Sequence, residues 1–198
     1  LDSEPLGYIS DFGLDPRDVT GVAQSHLSLA IPLLKDLKIE EVQFDGQVDA
    51  KDMALADVLG GHPLENGVAR FLVNGDGLKT IGRIEYQGVS AAIDWFEDFR
   101  EGVEHPTQAT IEFDIDDQQL DSFGFNLENR LMGRINTVLK VQGSGVDIAQ
   151  GTVRSDLSQA ALRDSILGWE KPLGEPAQFT SDLRALKGKI SLIGAVLE

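Results

Sequence analysis

Catalysis and metal binding need particular side chains within reach of one another, and few such sets stand out in this chain. Its three histidines, His26, His62 and His105, lie far apart, and none has a partner at metal-ligand spacing. There is no cysteine, which removes disulfides, thiolate metal sites and a thiol nucleophile. Asp114-Ile115-Asp116-Asp117 opens like a calcium loop, but the required Gly and terminal Glu are not at their places, so it reads as a solvated strand end. Glu97, Asp98, Glu101 and Glu104 could supply the paired carboxylates of glycoside hydrolysis, yet with 33 acidic residues such grouping arises by chance. Asn74-Gly75-Asp76-Gly77 lacks the Lys-Ser/Thr of a phosphate-binding loop, and Gly60-Gly61 lacks a flanked nucleophilic Ser. The expectation is a protein with no catalytic residue, no metal and no cofactor.

Charge narrows the partners. The formal net charge is −16 and the isoelectric point about 4.4. Lys and Arg form no cluster able to follow a phosphate backbone or an anionic membrane surface, so nucleic acid is excluded as a partner. No apolar run approaches the roughly 18 residues of a membrane-spanning helix. The absence of cysteine suits an oxidising bacterial envelope. The chain opens Leu1-Asp2-Ser3-Glu4-Pro5, which reads as a segment cut from a longer protein.

Elements that could position a site are mostly strands. Val42–Ala50 puts Phe44, Gly46, Val48 and Ala50 on one side and Gln43, Asp45, Gln47 and Asp49 on the other, the period-two pattern of a strand with one dry face. Further strands are expected from Ala23 to Pro32 and over 68–73, 81–87, 89–96, 107–116, 134–142, 146–157, 178–185 and 189–197. A helix over Leu27–Leu37 competes with the first of these, although Pro32 falls inside it. Asn74-Gly75-Asp76-Gly77 is a hairpin signal, and Leu64-Glu65-Asn66-Gly67 reads as a turn. Two short helices are expected, one over Asp52–Gly61 and one over Ser158–Leu167 capped by Ser158. Asp15 could cap a single turn begun by Pro16. The chain is thus expected to be mainly β with one or two short helices, its long, curved antiparallel sheet forming an open groove or half-barrel. Residues 1–21 read as a leading segment that continues a preceding region. Residues 22–198 read as a single domain, with an echo between Val48–Gly60 and Val153–Gly168 suggesting quasi-repeated halves, 22–104 and 105–198.

These residues carry a resemblance. Leu29-Ala-Ile-Pro-Leu-Leu-Lys-Asp-Leu37 feeding the Val42–Ala50 strand, Asn74-Gly-Asp-Gly-Leu78 followed by Thr80–Val89 and Ile93-Asp-Trp95, and Asp156–Leu162 with Leu167–Gly174 and Pro176-Ala177 resemble, in that order of strands, the AsmA-like superfamily of large bacterial envelope proteins. The matching part is the uncharacterised domain preceding their AsmA-like C-terminal region, and it covers roughly residues 14–198. The resemblance implies a periplasmic segment of an inner-membrane-anchored protein of a Gram-negative bacterium, flanked by neighbouring domains of the same longer protein. It also implies an apolar groove that carries phospholipid acyl chains between inner and outer membrane.

Eight residues are the candidates to line that groove: Phe44, Val48, Ile93, Trp95, Ile111, Phe113, Leu139 and Val141. A strand of eight residues spans roughly 26 Å, close to an extended acyl chain. Burying about a dozen methylenes is worth on the order of 10 kcal/mol, similar to the cost of leaving a bilayer, so transfer would need no bond chemistry. The same residues could instead pack against one another in a ligand-free structural or protein-interaction β-domain. Trp169-Glu170-Lys171-Pro172 reads as a Trp wedge closing a sheet end, with Lys171 pairing an acid; an exposed, partner-docking Trp is the alternative. Unpaired sheet edges lead to the expectation of an edge-to-edge homodimer.

Overall fold

The computed structural model describes residues 19–32, 43–59, 62–123, 130–145, 147–164, 168–186 and 189–198. Among them the chain is almost entirely strand: β1 (Val19–Ala30), β2 (Gln43–Leu59), β3 (His62–Asn74), β4 (Gly77–Tyr86), β5 (Val89–Asp98), β6 (Thr107–Asp116), a single short helix α1 (Asp117–Ser122), β7 (Leu131–Ser144), β8 (Asp147–Asp156), β9 (Ala160–Asp164), β10 (Trp169–Lys171), β11 (Gln178–Leu186) and β12 (Lys189–Leu197). The strands form one 12-stranded antiparallel sheet in the order β1-β2-β3-β4-β5-β6-β7-β8-β11-β12. β9 and β10 form a side branch on the first residues of β7, Leu131–Gly133. β1 and β12 do not pair with each other, so the sheet stays open, as expected from its alternation. The ladder also runs unbroken across the 104/105 division, with Glu97 opposite Thr107.

Tight hairpins explain the meander. Asn74 Oδ1 accepts from the amides of Asp76 (3.0 Å) and Gly77 (3.2 Å), closing the β3–β4 turn. Gln87 and Gly88 both take positive φ, 48° and 77°, which matches the right-handed twist of the flanking strands. Residues 107–116 and 189–197 form strands with the expected bounds.

Three local expectations are corrected. Asp52–Gly61 is not a helix: through Leu59 it continues β2, which is 17 residues long. Asp52 sits at φ 52° in a stretch where the β2–β3 register shifts, so the bulge resets the alternation and hides the strand. Leu64–Gly67 is not a turn but part of β3, with Asn66 at φ 52°. A Cβ on Gly67 would lie 2.9 Å from the Cβ of Met53, so the close approach of the two strands there requires glycine. Ser158–Leu167 is not a helix as far as Asp164: Ser158 turns back on Asp156, its hydroxyl donating at 2.6 Å, and Ala160–Asp164 becomes β9. Asp114–Asp116 is the strand end expected, and a helix not anticipated from the sequence follows it. Asp116 caps α1 by accepting from the Gln119 amide at 2.9 Å, while Gln119 Oε1 accepts from the Asp116 amide at 3.0 Å, a reciprocal capping box. The Asp15 turn lies outside the described residues.

Candidate functional site

Cross-strand register decides which side chains share a face, because side chains alternate and paired residues point the same way. Phe44 pairs with Leu29, and Val48 lies opposite Phe71. Phe71 lies opposite Thr80, and Thr80 opposite Trp95. Trp95 then aligns with Ala109, and Ile93 with Ile111. Ala109 aligns with Val141, Ile111 with Leu139, and Phe113 with Thr137. All eight candidate residues therefore lie on one face of the sheet. Seven are half-buried and Val141 is buried. The hairpins preserve parity from strand to strand, so the alternation within each strand adds up to a common face.

The same face carries residues that the sequence pattern left out. Phe71, Val73, Leu78 and Ile84 extend it over β3 and β4, and Val153 and Leu183 over β8 and β11. Ala23, Ala50, Ala69 and Gly82 fall in register across β1–β4 and leave a shallow lane between larger neighbours. Only the strand register aligns these small residues, so no single stretch of sequence signals the lane.

One end of this face is covered by the chain itself. Val89, Ile115, Leu131, Ile135, Leu157 and Ala160 are buried together, with Leu120 and Phe123 at α1 and Leu162 of β9 packed against them. The Phe123 and Tyr86 rings lie 5.6 Å apart, and Gln119 Nε2 donates to the Gly88 carbonyl at 3.1 Å, tying α1 to the β4–β5 hairpin. Elsewhere no second layer lies over the sheet among the described residues: apart from α1 on β6 and β7, the substantial contacts between elements are between paired strands. Buried polar groups on the face are satisfied. The Thr137 and Ser155 hydroxyls bond each other at 2.9 Å, and Thr107 Oγ1 donates to Glu97.

The opposite face is mostly polar, although Val68, Leu72 and Ile81 stand exposed on it over β3 and β4. Asp94, Thr110, Lys140, Thr152 and Asp182 stand in one row, and Phe96, Gln108, Gln142, Gln150 and Arg184 in the next. They line a shallow open depression of about 590 Å3. Gln150 Nε2 donates to Gln142 Oε1 at 3.1 Å. Further along, Arg70 Nε donates to Asp49 at 2.7 Å. That hydrogen bond, with a second from Gln47, holds the Asp49 carboxyl below its usual pKa.

The groups weighed for chemistry do not assemble. Glu97 and Asp98 are consecutive on β5 and point to opposite faces, while Glu101 and Glu104 are exposed in the following link. Arg100 binds the Asp98 carboxylate through its amide, Nε and Nη2, which lowers the Asp98 pKa to about 2. Asp98 is thus a committed anion in an ion pair, unsuited to proton transfer near neutrality. His26 lies on β1, His62 meets the edge of Tyr86 at 6.2 Å, and His105 lies in the β5–β6 link. No group of three or more His, Cys, Asp or Glu able to hold a metal occurs among the described residues.

The Trp169 stretch also differs from its expectation. Trp169 is 45% exposed on β10 and is not buried as a wedge. Lys171 is buried, but its Nζ donates to the carbonyls of Ala160 (2.7 Å) and Pro172 (3.2 Å) and not to an acid. The β9–β10 hairpin leaves those carbonyls facing inward, and a long ammonium side chain satisfies them.

No helix among the described residues is long and apolar enough to cross a membrane. No known protein family, curated protein or solved structure matches the chain.

Proposed function

We propose that this chain is a non-enzymatic periplasmic segment of an AsmA-like envelope protein, and that its apolar sheet face holds phospholipid acyl chains in transit between the two membranes. The observation that supports this most is the single apolar face crossing the sheet with no second layer over β1–β4 among the described residues. A soluble protein ordinarily covers such a face with a helix or another sheet. A large uncovered apolar surface marks an interaction site. The lane from Ala23 to Gly82 crosses four strands, roughly 15–20 Å at a spacing of about 4.8 Å, and a hydrocarbon tail lying in it would be flanked by Val48, Phe71 and Ile84.

The chemistry of the face suits tails better than headgroups. Among the described residues every buried side-chain nitrogen and oxygen already has a partner, so none is left over to orient a polar ligand. Burying about a dozen methylenes in the lane offsets on the order of 10 kcal/mol of transfer cost. The process is then close to level, and a lipid can leave as readily as it enters. Specificity would rest on hydrocarbon, with headgroups left in water.

A second reading is favoured by two observations, the self-packed end under α1 and a second buried cluster of Ala109, Val141, Val153 and Leu183 against which the candidate residues Trp95 and Leu139 pack. If the whole face is closed in that way, the domain is a ligand-free scaffold of the envelope. Native mass spectrometry after expression in the periplasm of a Gram-negative host separates the two. Copurified phospholipid, displaced by Val48→Asp, supports the conduit; a clean apo mass supports the scaffold.

A further inference from the structure

We infer that the free edge of β1 pairs with the same edge of a second copy, antiparallel, about a two-fold axis perpendicular to the sheet. This does not rest on the acyl-chain reading, since it concerns the edge of the sheet and not its face.

β1 is an edge strand of 12 residues with no ladder partner on its outer side among the described residues, and all 12 are exposed. Natural edge strands are protected by charge, proline, bulges or brevity. β1 reads Val-Thr-Gly-Val-Ala-Gln-Ser-His-Leu-Ser-Leu-Ala, with no Asp, Glu, Lys, Arg or Pro. Its one register shift lies between Thr20 and Val22, so Val22–Ala30 is long, regular and unguarded. In a chain of net charge −16, that is an exceptional stretch. Two copies repel each other almost everywhere, and an uncharged strand is where they can approach.

The strand is also complementary to itself. Ala23, Ser25, Leu27 and Leu29 lie on the apolar face and Gln24, His26 and Ser28 on the polar one. With the axis at Ser25, Leu27 falls beside Ala23 of the partner subunit and His26 beside Gln24 of the partner subunit, large against small and polar against polar. Leu27 and Leu29 are 65% and 58% exposed, and pairing covers them. The two-fold axis keeps both apolar faces on one side, so the joined sheets present one surface twice as wide. β12 is the weaker edge. It has nine residues, its ladder with β11 shifts between Thr180 and Asp182, and Gly194 takes φ 66°.

With the axis at Ser25 the regular pairing runs over Val22–Ser28, roughly 23 Å on a sheet about 10 Å thick, and buries roughly 230 Å2 per copy, well below the standard interface size, so the dimer is weak and transient. The test is sedimentation equilibrium over a concentration series, with hydrogen exchange of the β1 amides. The expected result is a monomer–dimer equilibrium, tightened several-fold when NaCl rises from about 0.05 to about 0.5 M because like charges are screened. Leu27→Lys and Ser25→Lys should each weaken it at least tenfold and remove β1 amide protection while leaving the thermal unfolding of the monomer unchanged. A monomer throughout the series overturns the inference. So does a dimer indifferent to both variants but broken by Leu192→Lys, or an open-ended polymer that needs both edges.

Discussion

The end of the apolar face that α1 covers and the flank that no other described element covers are built from the same alternating strands, yet they end in opposite states. At the covered end Ile115, Leu131, Ile135 and Leu157 are 5–8% exposed beneath α1 and β9. On the flank, Phe44, Val48, Phe71 and Ile84 are only half-buried, and Leu27 and Leu29 stand largely in solvent. Strand pattern does not cause the difference. The residues that follow each strand do: β6 runs straight into the Asp116–Gln119 capping box, which starts a helix short enough to fold back, whereas β3, β4 and β5 are joined by two-residue turns that supply no cover. Alternation makes an apolar face, and the connections decide whether it becomes core or surface.

Truncations should separate the two regions most sharply. Ile135→Ala at the covered end is expected to cost about 2–4 kcal/mol, while Val48→Ala on the flank should cost less than about 1 kcal/mol because its methyls are already partly in water. Urea unfolding of both variants checks this, and equal costs would mean the flank is packed as tightly as the end. Next in size is the cap. Asp116→Ala should cost about 1 kcal/mol, with increased exchange at α1 and little change in the β1–β4 amides.

How much of this was legible follows the same division. Period-two runs such as Thr107–Asp116 gave strand and face together, and hairpin signals at Asn74–Gly77 carried the face from one strand to the next. That is why Phe44 on β2 and Val141 on β7 could be placed in one set from sequence. β2 beyond Asp52 was missed because the bulge interrupts its period, while Ala54, Leu55 and Ala56 suit a helix until a long ladder with β3 overrides that preference. β9 was missed for a similar reason, since Ala161, Leu162 and Ile166 fit helical spacing. The cover over Ile135 depends on a capping box that had a readable signature, Asp116-x-x-Gln119, masked by the acidic run around it. The lane of small residues depends on register alone and leaves no local trace.

The smallest effect concerns acid. The Asp98 pKa is lowered from 3.8 to about 2 by Arg100. A depressed carboxyl contributes stability that is fully present above 3.8 and is lost as pH falls through about 2. Arg100→Ala should flatten the stability–pH curve in that window and leave it unchanged at neutral pH in shape. A curve as steep as that of the wild type would show that the pair does not set this slope.

The central claim is that the uncovered face, and not the polar one behind it, meets hydrocarbon. Phe71 and Leu72 are neighbours on β3 pointing to opposite faces, so a photo-crosslinking benzoylphenylalanine at each position samples both sides of one strand. In periplasmic protein, the account predicts phospholipid adducts from position 71 and essentially none from position 72. Adducts at neither position, or equally at both, would contradict it.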